Sequence, residues 1–170
     1  MAETTNGNGT TPAQEAGAGE AQQQVQAQVV AQYIKDLSFE NPNIEKLLNG
    51  PGDNPNMKME VNVNAKRVGD DLFESAIDFK GHATNKEGTI YVLELVYAGL
   101  FRIKNIPDEA MEPFLLINCP ALVFPFLRRL VADLSREGGF PPLLLDPIDF
   151  AGLYMRRKQQ AGEGQPEANA

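Results

Sequence analysis

The sequence predicts an α+β fold, with strands in the first part of the folded chain and helices in the second. Apolar and polar residues alternate along 57–68 and again along 71–84, which is the period of strands with one buried face. The short turn at Gly69–Asp70 joins these two segments as an antiparallel hairpin. From Pro107 onward, apolar residues recur at spacings of three and four, as they do in helices.

Two further strands complete the predicted sheet, one over 89–103 and a shorter one over 32–42. In the first of these, Glu94 is the only charged residue for most of its length. So few polar residues are typical of a strand covered on both faces, and a second copy of the chain could supply the second cover. Residues 41–56 are rich in proline and glycine, so we predict a long crossover loop without regular structure.

Three helical segments are predicted in the second half of the chain. The first starts near Pro107 and is shortened or bent by Pro113. The second runs from about Pro120 to Glu137 and ends at two glycines. The third starts at Pro147, with Asp146 as its N-cap.

The second helix carries two adjacent apolar stripes, which together cover well over a third of its circumference. We expect one stripe to cover the sheet of its own chain and the other to meet a second subunit. Alternatively, the second stripe packs under the C-terminal helix of the same chain. The first stripe contains Phe124, Leu127, Val131 and Leu134, and the second contains Val123, Phe126 and Leu130.

The composition indicates one folded domain at 33–160 between two disordered polar tails, 1–32 and 161–170, which hold no aromatic residue. The formal net charge is −8, and the tails contain five acidic residues and no Lys or Arg, so the domain itself is only weakly acidic. A nucleic-acid interface needs a dense basic patch and is therefore not expected. The chain shows no secretory signal, no segment expected to span a bilayer and a single cysteine, which favours the cytoplasm.

No catalytic or metal-binding arrangement is recognisable. His82, the only histidine, alternates outward on a strand and has no orienting partner that would make it a general base. Cys119 stands in an apolar run, which favours a buried inert thiol over a nucleophile. We therefore predict no enzyme activity, no cofactor and no metal, and a function in apolar recognition. The candidate residues are Met57 and Met59 in the hairpin and Phe140, Leu143, Leu144 and Leu145 in the connector 138–147, although these could instead close the edge of the core.

Three segments resemble the SecB family of bacterial protein-export chaperones. They are YIKDLSFENPN (33–43), LELVYAGLF (93–101) and NCPALVFPFLRRLVADLSREGGFPPLLLDPIDFAGLY (118–154), and the resemblance covers roughly residues 31–160. It implies an α+β fold in which a four-stranded antiparallel sheet with a long crossover loop is packed by two main helices. It also implies a homotetramer, a dimer of dimers whose helices lie between two eight-stranded sheets.

The function implied by this resemblance is that of a holding chaperone without catalytic activity. Such a protein binds unfolded secretory precursor proteins in apolar grooves and delivers them to the export motor SecA, whose small basic zinc-containing tail docks on the acidic outer sheet. It inserts into no membrane itself. A related function within the same fold is that of a chaperone for an antitoxin, and a different class of function is a small apolar-ligand carrier.

Carried onto this sequence, the resemblance assigns residues to three surfaces. The SecA-binding residues are Asp36, Glu40, Val92 and Glu94. The precursor groove contains Met57, Met59 and Val61, to which we add Phe140 and Leu143. The tetramer interface contains Leu93, Leu95 and Tyr97, to which we add Phe124 and Leu127. The chain departs from the family in having no tryptophan, a residue usual near the end of the crossover loop.

Overall fold

The computed structural model describes residues 24–49 and 55–163, which include one four-stranded sheet. The strands are β1 (Gln26–Glu40), β2 (Asn56–Arg67), β3 (Leu72–Asn85) and β4 (Gly88–Lys104). All neighbours are antiparallel, and their order is β1-β4-β3-β2. The predicted sheet is confirmed, and the first strand crosses over to pair with the last.

Strand β1 begins well before the predicted start of the folded domain at residue 33. Its first residue, Gln26, pairs with Lys104 at the end of β4. This segment is exposed and is held along one edge by backbone hydrogen bonds, so it lacks the alternation that marks a half-buried strand. The prediction of a tail is therefore wrong for residues 26–32, and the remainder of that tail before residue 24 lies outside the described residues.

The crossover between β1 and β2 contains one 3₁₀ turn, Ile44–Leu47, where no regular element was expected. Leu47 is buried in the core, whereas Ile44 and Leu48 are exposed. The side-chain amide of Asn43 donates a hydrogen bond of 2.9 Å to the carbonyl of Thr89, which ties the crossover to the start of β4. Residues 50–54 of the predicted loop lie outside the described residues.

The helical half begins with one continuous helical stretch. It comprises α1 (Asp108–Pro113), a π-helical turn (Phe114–Asn118) and α2 (Cys119–Glu137). The widened turn follows directly after Pro113, because proline offers no N–H to the preceding turn. By length and composition alone, with a mean hydropathy of 1.6 over 18 residues, this stretch could cross a membrane, so the expectation that no segment meets that criterion is wrong. Core helices of soluble proteins meet it too.

Helix α3 (Phe150–Glu163) begins three residues later than predicted. The Oδ1 atom of Asp149 accepts a hydrogen bond of 2.9 Å from the backbone N–H of Gly152, so Asp149 caps the helix. The assignment of Asp146 as the N-cap is therefore wrong, because the sequence Asp-Pro-Ile-Asp offers two candidate caps and only the second accepts this bond. The helix also continues past residue 160, where the C-terminal tail was expected to begin.

The core lies between the sheet and α2, which packs over β4 and β3. Leu93, Leu95 and Leu127 are completely buried there. Gly99 allows the helix to come close, because a Cβ atom at this position would lie 2.7 Å from the ring of Phe101 and 3.0 Å from the Val123 side chain. The contact between α2 and the central strand therefore depends on a missing side chain.

Replacing Gly99 with alanine should destabilise the fold by about 1–3 kcal/mol, the usual range for overpacking a filled core. The measurement is the free energy of unfolding in urea. Gly81→Ala is the matched control, because an added Cβ there meets the Phe79 ring at 3.2 Å and has more room to adjust. An equal loss in the two variants would contradict the close approach of α2 at Gly99.

Candidate functional site: an acidic patch and an edge groove

The pairing register assigns the strand residues to two faces of the sheet. The inner face packs against the helices, as the hydrogen bond from the Ser75 hydroxyl to the carbonyl of Leu115 shows. The outer face points away from them. Over most of β2, β3 and β4, odd-numbered residues lie on the inner face and even-numbered residues on the outer face. These two faces carry the two candidate surfaces.

The outer face brings together the four predicted SecA-binding residues, Asp36, Glu40, Val92 and Glu94, which we call the acidic patch. Glu40 pairs with Val92, and Glu94 pairs with Ser38 in the next row. Asp36 follows one row further on, opposite Val96. The prediction that Asp36 and Glu40 share a face is confirmed, and both side chains are exposed.

The apolar sequence of β4 suggested that Glu94 is an isolated carboxylate, but in the structure it has a cationic partner. Its Oε1 atom lies 3.3 Å from the Nζ atom of Lys80, which occupies the same row on β3. The hydrogen bond and charge of Glu94, with Asp78 and Glu60 nearby, raise the pKa of Lys80 above its ordinary value. Sequence reasoning missed this lysine, although the alternation along β3 places it on the outer face.

Another carboxylate on the outer face, Glu74, is nearly buried, with only 9% of its side chain exposed. It accepts a hydrogen bond from the Tyr33 hydroxyl and another of 2.6 Å from Lys35, both from β1, while Lys66 approaches from β2. Burial alone would raise the pKa of Glu74, but these donors and charges lower it below its ordinary value of 4.5. The same contact raises the pKa of Tyr33 to about 12. The cluster ties β1 to β3 across β4.

Met57, Met59 and Val61 lie on the inner face of β2, an edge strand that α2 leaves partly uncovered. Leu143 reaches the same place from the connector, since it lies 3.8 Å from the position of a Cβ on Gly81, the partner of Met59. Met59 remains 50% exposed. The structure therefore brings the predicted groove strand and the connector together, and we call this surface the edge groove.

Phe140 lies in the core beside the edge groove and is not part of the open surface of the groove. Gly139, with a φ of 89°, ends α2 in a turn in which the Phe140 N–H donates to the carbonyl of Ser135. The Phe140 ring then packs on Tyr91, with 4.9 Å between ring centroids. Because Phe140 is only 7% exposed, its predicted role as a precursor contact is corrected to that of a core residue beside the groove.

Leu144 is the most exposed of the three leucines in the connector. It is 70% exposed, next to the partly buried Leu143. Sequence reasoning named Leu144 among the candidates but did not choose it, because a connector without periodicity does not reveal which of its leucines face the core. Further along β2, Val61 lines a cleft of about 500 Å³ against α3 that also contains Arg156, Arg157 and other polar side chains.

Comparisons with known proteins identify the family of this chain. The family described as preprotein translocase subunit SecB matches residues 20–161. The chain belongs to the SecB family. The protein-export protein SecB of Xanthobacter autotrophicus is 49% identical over 79% of this chain and 86% of its own length, and that of Rhodopseudomonas palustris strain BisB18 is 46% identical over 96% and 98%.

A solved structure shares the SecB fold with this chain. It is the SecB-like chaperone of Mycobacterium tuberculosis in complex with a ChAD peptide from the HigA1 antitoxin. It matches with a TM-score of 0.57 and 16% identity, over 72% of this chain and 90% of that one. Curated members of the SecB family are named as protein-export proteins; the family name thus indicates a chaperone of protein export.

The residues predicted to form a tetramer interface, three from SecB similarity and two added from α2, are buried within this chain. Leu93, Leu95, Tyr97, Phe124 and Leu127 are at most 8% exposed. Phe124 packs against Phe150 of α3, so the first stripe of α2 meets the C-terminal helix. Their role in assembly stays a prediction. Because they are buried, they would act by holding the sheet and α2 in place and not by contacting a second subunit. The apolar side chains that α2 leaves exposed are Leu122 and Phe126, the latter lying against Tyr97.

The described part of this SecB-family chain contains no cluster of residues that could hold a metal ion. His82 is exposed on the outer face and contacts the Thr89 hydroxyl at 3.1 Å. Cys119 is completely buried, and burial raises the pKa of its thiol to about 12, so it remains protonated at neutral pH. His82 thus lies on the outward side of its strand and Cys119 is a buried thiol, as their sequence context predicts.

Replacing Glu74 with glutamine should lower stability at pH 7 by about 1–3 kcal/mol and flatten the acid dependence of folding. A lowered carboxyl pKa stabilises the fold above the unfolded value of 4.5, and that contribution is lost as the pH falls below it through the pKa of the folded state. Urea unfolding between pH 7 and pH 3 measures the effect. Glu60→Gln, at an exposed carboxylate on the same face, is the control, and identical pH profiles for both variants would rule out the Glu74 cluster as the source.

Proposed function

We propose that the chain is a cytoplasmic, non-enzymatic holding chaperone that binds unfolded precursor proteins and delivers them to SecA. The observation that carries this proposal is the edge groove. It combines Met59, 50% exposed on the edge strand β2, with the connector at Leu143, in which the next residue, Leu144, is 70% exposed. Flexible apolar side chains of this kind accept many different sequences, as binding of unfolded chains requires.

The working form in this proposal is a homotetramer, a dimer of dimers. Support comes from apolar residues that the single chain leaves open on the helix side of the sheet. Ile34 and Leu37 of β1 are 44% and 41% exposed, and Phe126 and Leu122 of α2 are 39% and 53% exposed. A soluble chain rarely leaves so many large apolar residues open unless another surface covers them.

Replacing both Met59 and Leu144 with aspartate should weaken the retention of an unfolded secretory precursor by about tenfold or more. The change removes apolar area from the groove and places charges where the precursor would bury them. Met57 is left intact because it packs against the core. The measurement is the stoichiometric slowing of precursor refolding, with chain mass from light scattering as a check on assembly.

The control for the groove variant is Met155→Asp, since Met155 on α3 is exposed to a similar extent, 55%, outside the groove. It should retain the precursor as the wild type does. Equal loss in both variants would point to nonspecific apolar binding, and full retention in the groove variant would remove the groove assignment.

Reversing the charge of Glu40 and Glu94 to lysine should weaken the binding of the basic tail of SecA by about tenfold or more, since attraction is replaced by repulsion. Titration calorimetry measures the affinity, which for the wild type should fall as salt rises, with a screening length of about 8 Å at physiological ionic strength. Glu109→Lys with Glu137→Lys gives the same change in net charge on the helices and should leave the affinity nearly unchanged. Equal weakening by both pairs would indicate overall charge and not the acidic patch.

A second candidate function is that of an antitoxin chaperone, because the SecB-like chaperone of Mycobacterium tuberculosis holds an antitoxin peptide. A toxin–antitoxin gene pair beside the gene for this chain would favour it. The small apolar-ligand carrier is less supported, since the cleft against α3 has Asn62, Asp78 and two arginines in its lining. A lipid-sized ligand needs a mostly apolar lining.

A further inference from the structure

Lys80 occupies the centre of the outer face, among carboxylates from all four strands. The register places Glu60, Lys80 and Glu94 in one row across β2, β3 and β4. The next row contains Asp78, which is two residues before Lys80 on β3, and Asp36 on β1. A lysine at this position faces negative charge on several sides.

The contact with Glu94 is the direct one. The Nζ atom of Lys80 lies 3.3 Å from Oε1 of Glu94, and the two side chains are 49% and 43% exposed. By contrast, Asp36 and Glu40 form no ion pair with the described residues. Of the three carboxylates in the acidic patch, only Glu94 is thus engaged by a cation of its own chain, as far as the described residues go.

We propose that Lys80 is an intramolecular competitor that lowers the affinity of the acidic patch for its basic partner. The inference rests on the proposed docking of SecA. A cation of the partner that approaches Glu94 must displace the Lys80 ammonium or share the carboxylate with it, and Lys80 also repels the basic partner. The residue therefore weakens docking and speeds release, which suits a carrier that must leave the motor after delivery.

Lys58 provides an internal comparison. It lies on the same outer face in the neighbouring row, but on the edge strand β2, and its Nζ atom is 3.5 Å from Glu60. In its row, His82 lies between Lys58 and Val92 of the acidic patch. Lys58 thus carries the same charge on the same face without contacting a carboxylate of the patch.

The test compares Lys80→Met with Lys58→Met in the full chain, using a synthetic peptide of the zinc-loaded basic tail of SecA and titration calorimetry. Exposed ion pairs contribute modestly, so Lys80→Met should tighten binding by about two- to fivefold. Lys58→Met should change the affinity less. In a Glu94→Gln background, Lys80→Met should lose most of its effect, because the carboxylate it occupies has gone.

The outcomes separate this inference from the proposed function. If the wild type binds the peptide and Lys80→Met binds equally well or more weakly, the competitor role is overturned and docking stands. Equal tightening by the two methionine variants would assign the effect to overall charge and overturn the role as well. If neither the wild type nor Lys80→Met binds, docking and competition both fall. Lys80→Gln serves as a second variant, and matching thermal unfolding of all variants excludes a folding defect.

Discussion

Strand β4 is covered by α2 along its inner face and by a side-chain bridge over part of its outer face, and the rest of the structure is arranged around this strand. On its inner face, Leu93 and Leu95 are completely buried under α2. On its outer face, the Tyr33 hydroxyl from β1 reaches Glu74 on β3, so their hydrogen bond passes over β4, where Ala98 has no exposed surface. A polar side chain at Ala98 would have to displace this bridge. At Ala98, the missing alternation in β4 therefore has a cause within the chain.

Helix α2 packs on β4 and β3, so the apolar surface that remains open on the inner side of the sheet lies beyond these two strands. On the inner side this is the edge strand β2, where Met59 stays half exposed beside the connector. The connector reaches the edge only because α2 stops at Gly138 and Gly139, whose turn aims Phe140 at Tyr91. The open apolar surface at this edge therefore follows from the position at which α2 ends.

The parts of the fold that rest on local periodicity could be predicted, and the parts that rest on distant contacts could not. Alternation along β2 placed Met57 and Met59 on one face correctly, and the paired glycines located the end of α2. The second cover of β4 was expected from another copy, whereas Tyr33 and Glu74, 41 residues apart, supply part of it. Spacing on α2 likewise revealed two stripes but not that Phe124 meets Phe150. A periodic pattern fixes which residues share a face, whereas their partner depends on tertiary packing.

The acidic patch and the edge groove lie on opposite faces of one sheet, which bears on how a single subunit could serve two partners. On β2 the two faces alternate residue by residue, so Met59 belongs to the groove side and the adjacent Glu60 to the outer row of Lys80. A precursor segment along the inner side of β2 and a basic peptide on the outer face are therefore separated by the backbone of the sheet and do not compete for space. Under the proposed function, delivery would then need no prior release of the precursor, since the two surfaces do not overlap. The charges also stay on the outer side, so an apolar precursor in the groove is not required to desolvate them.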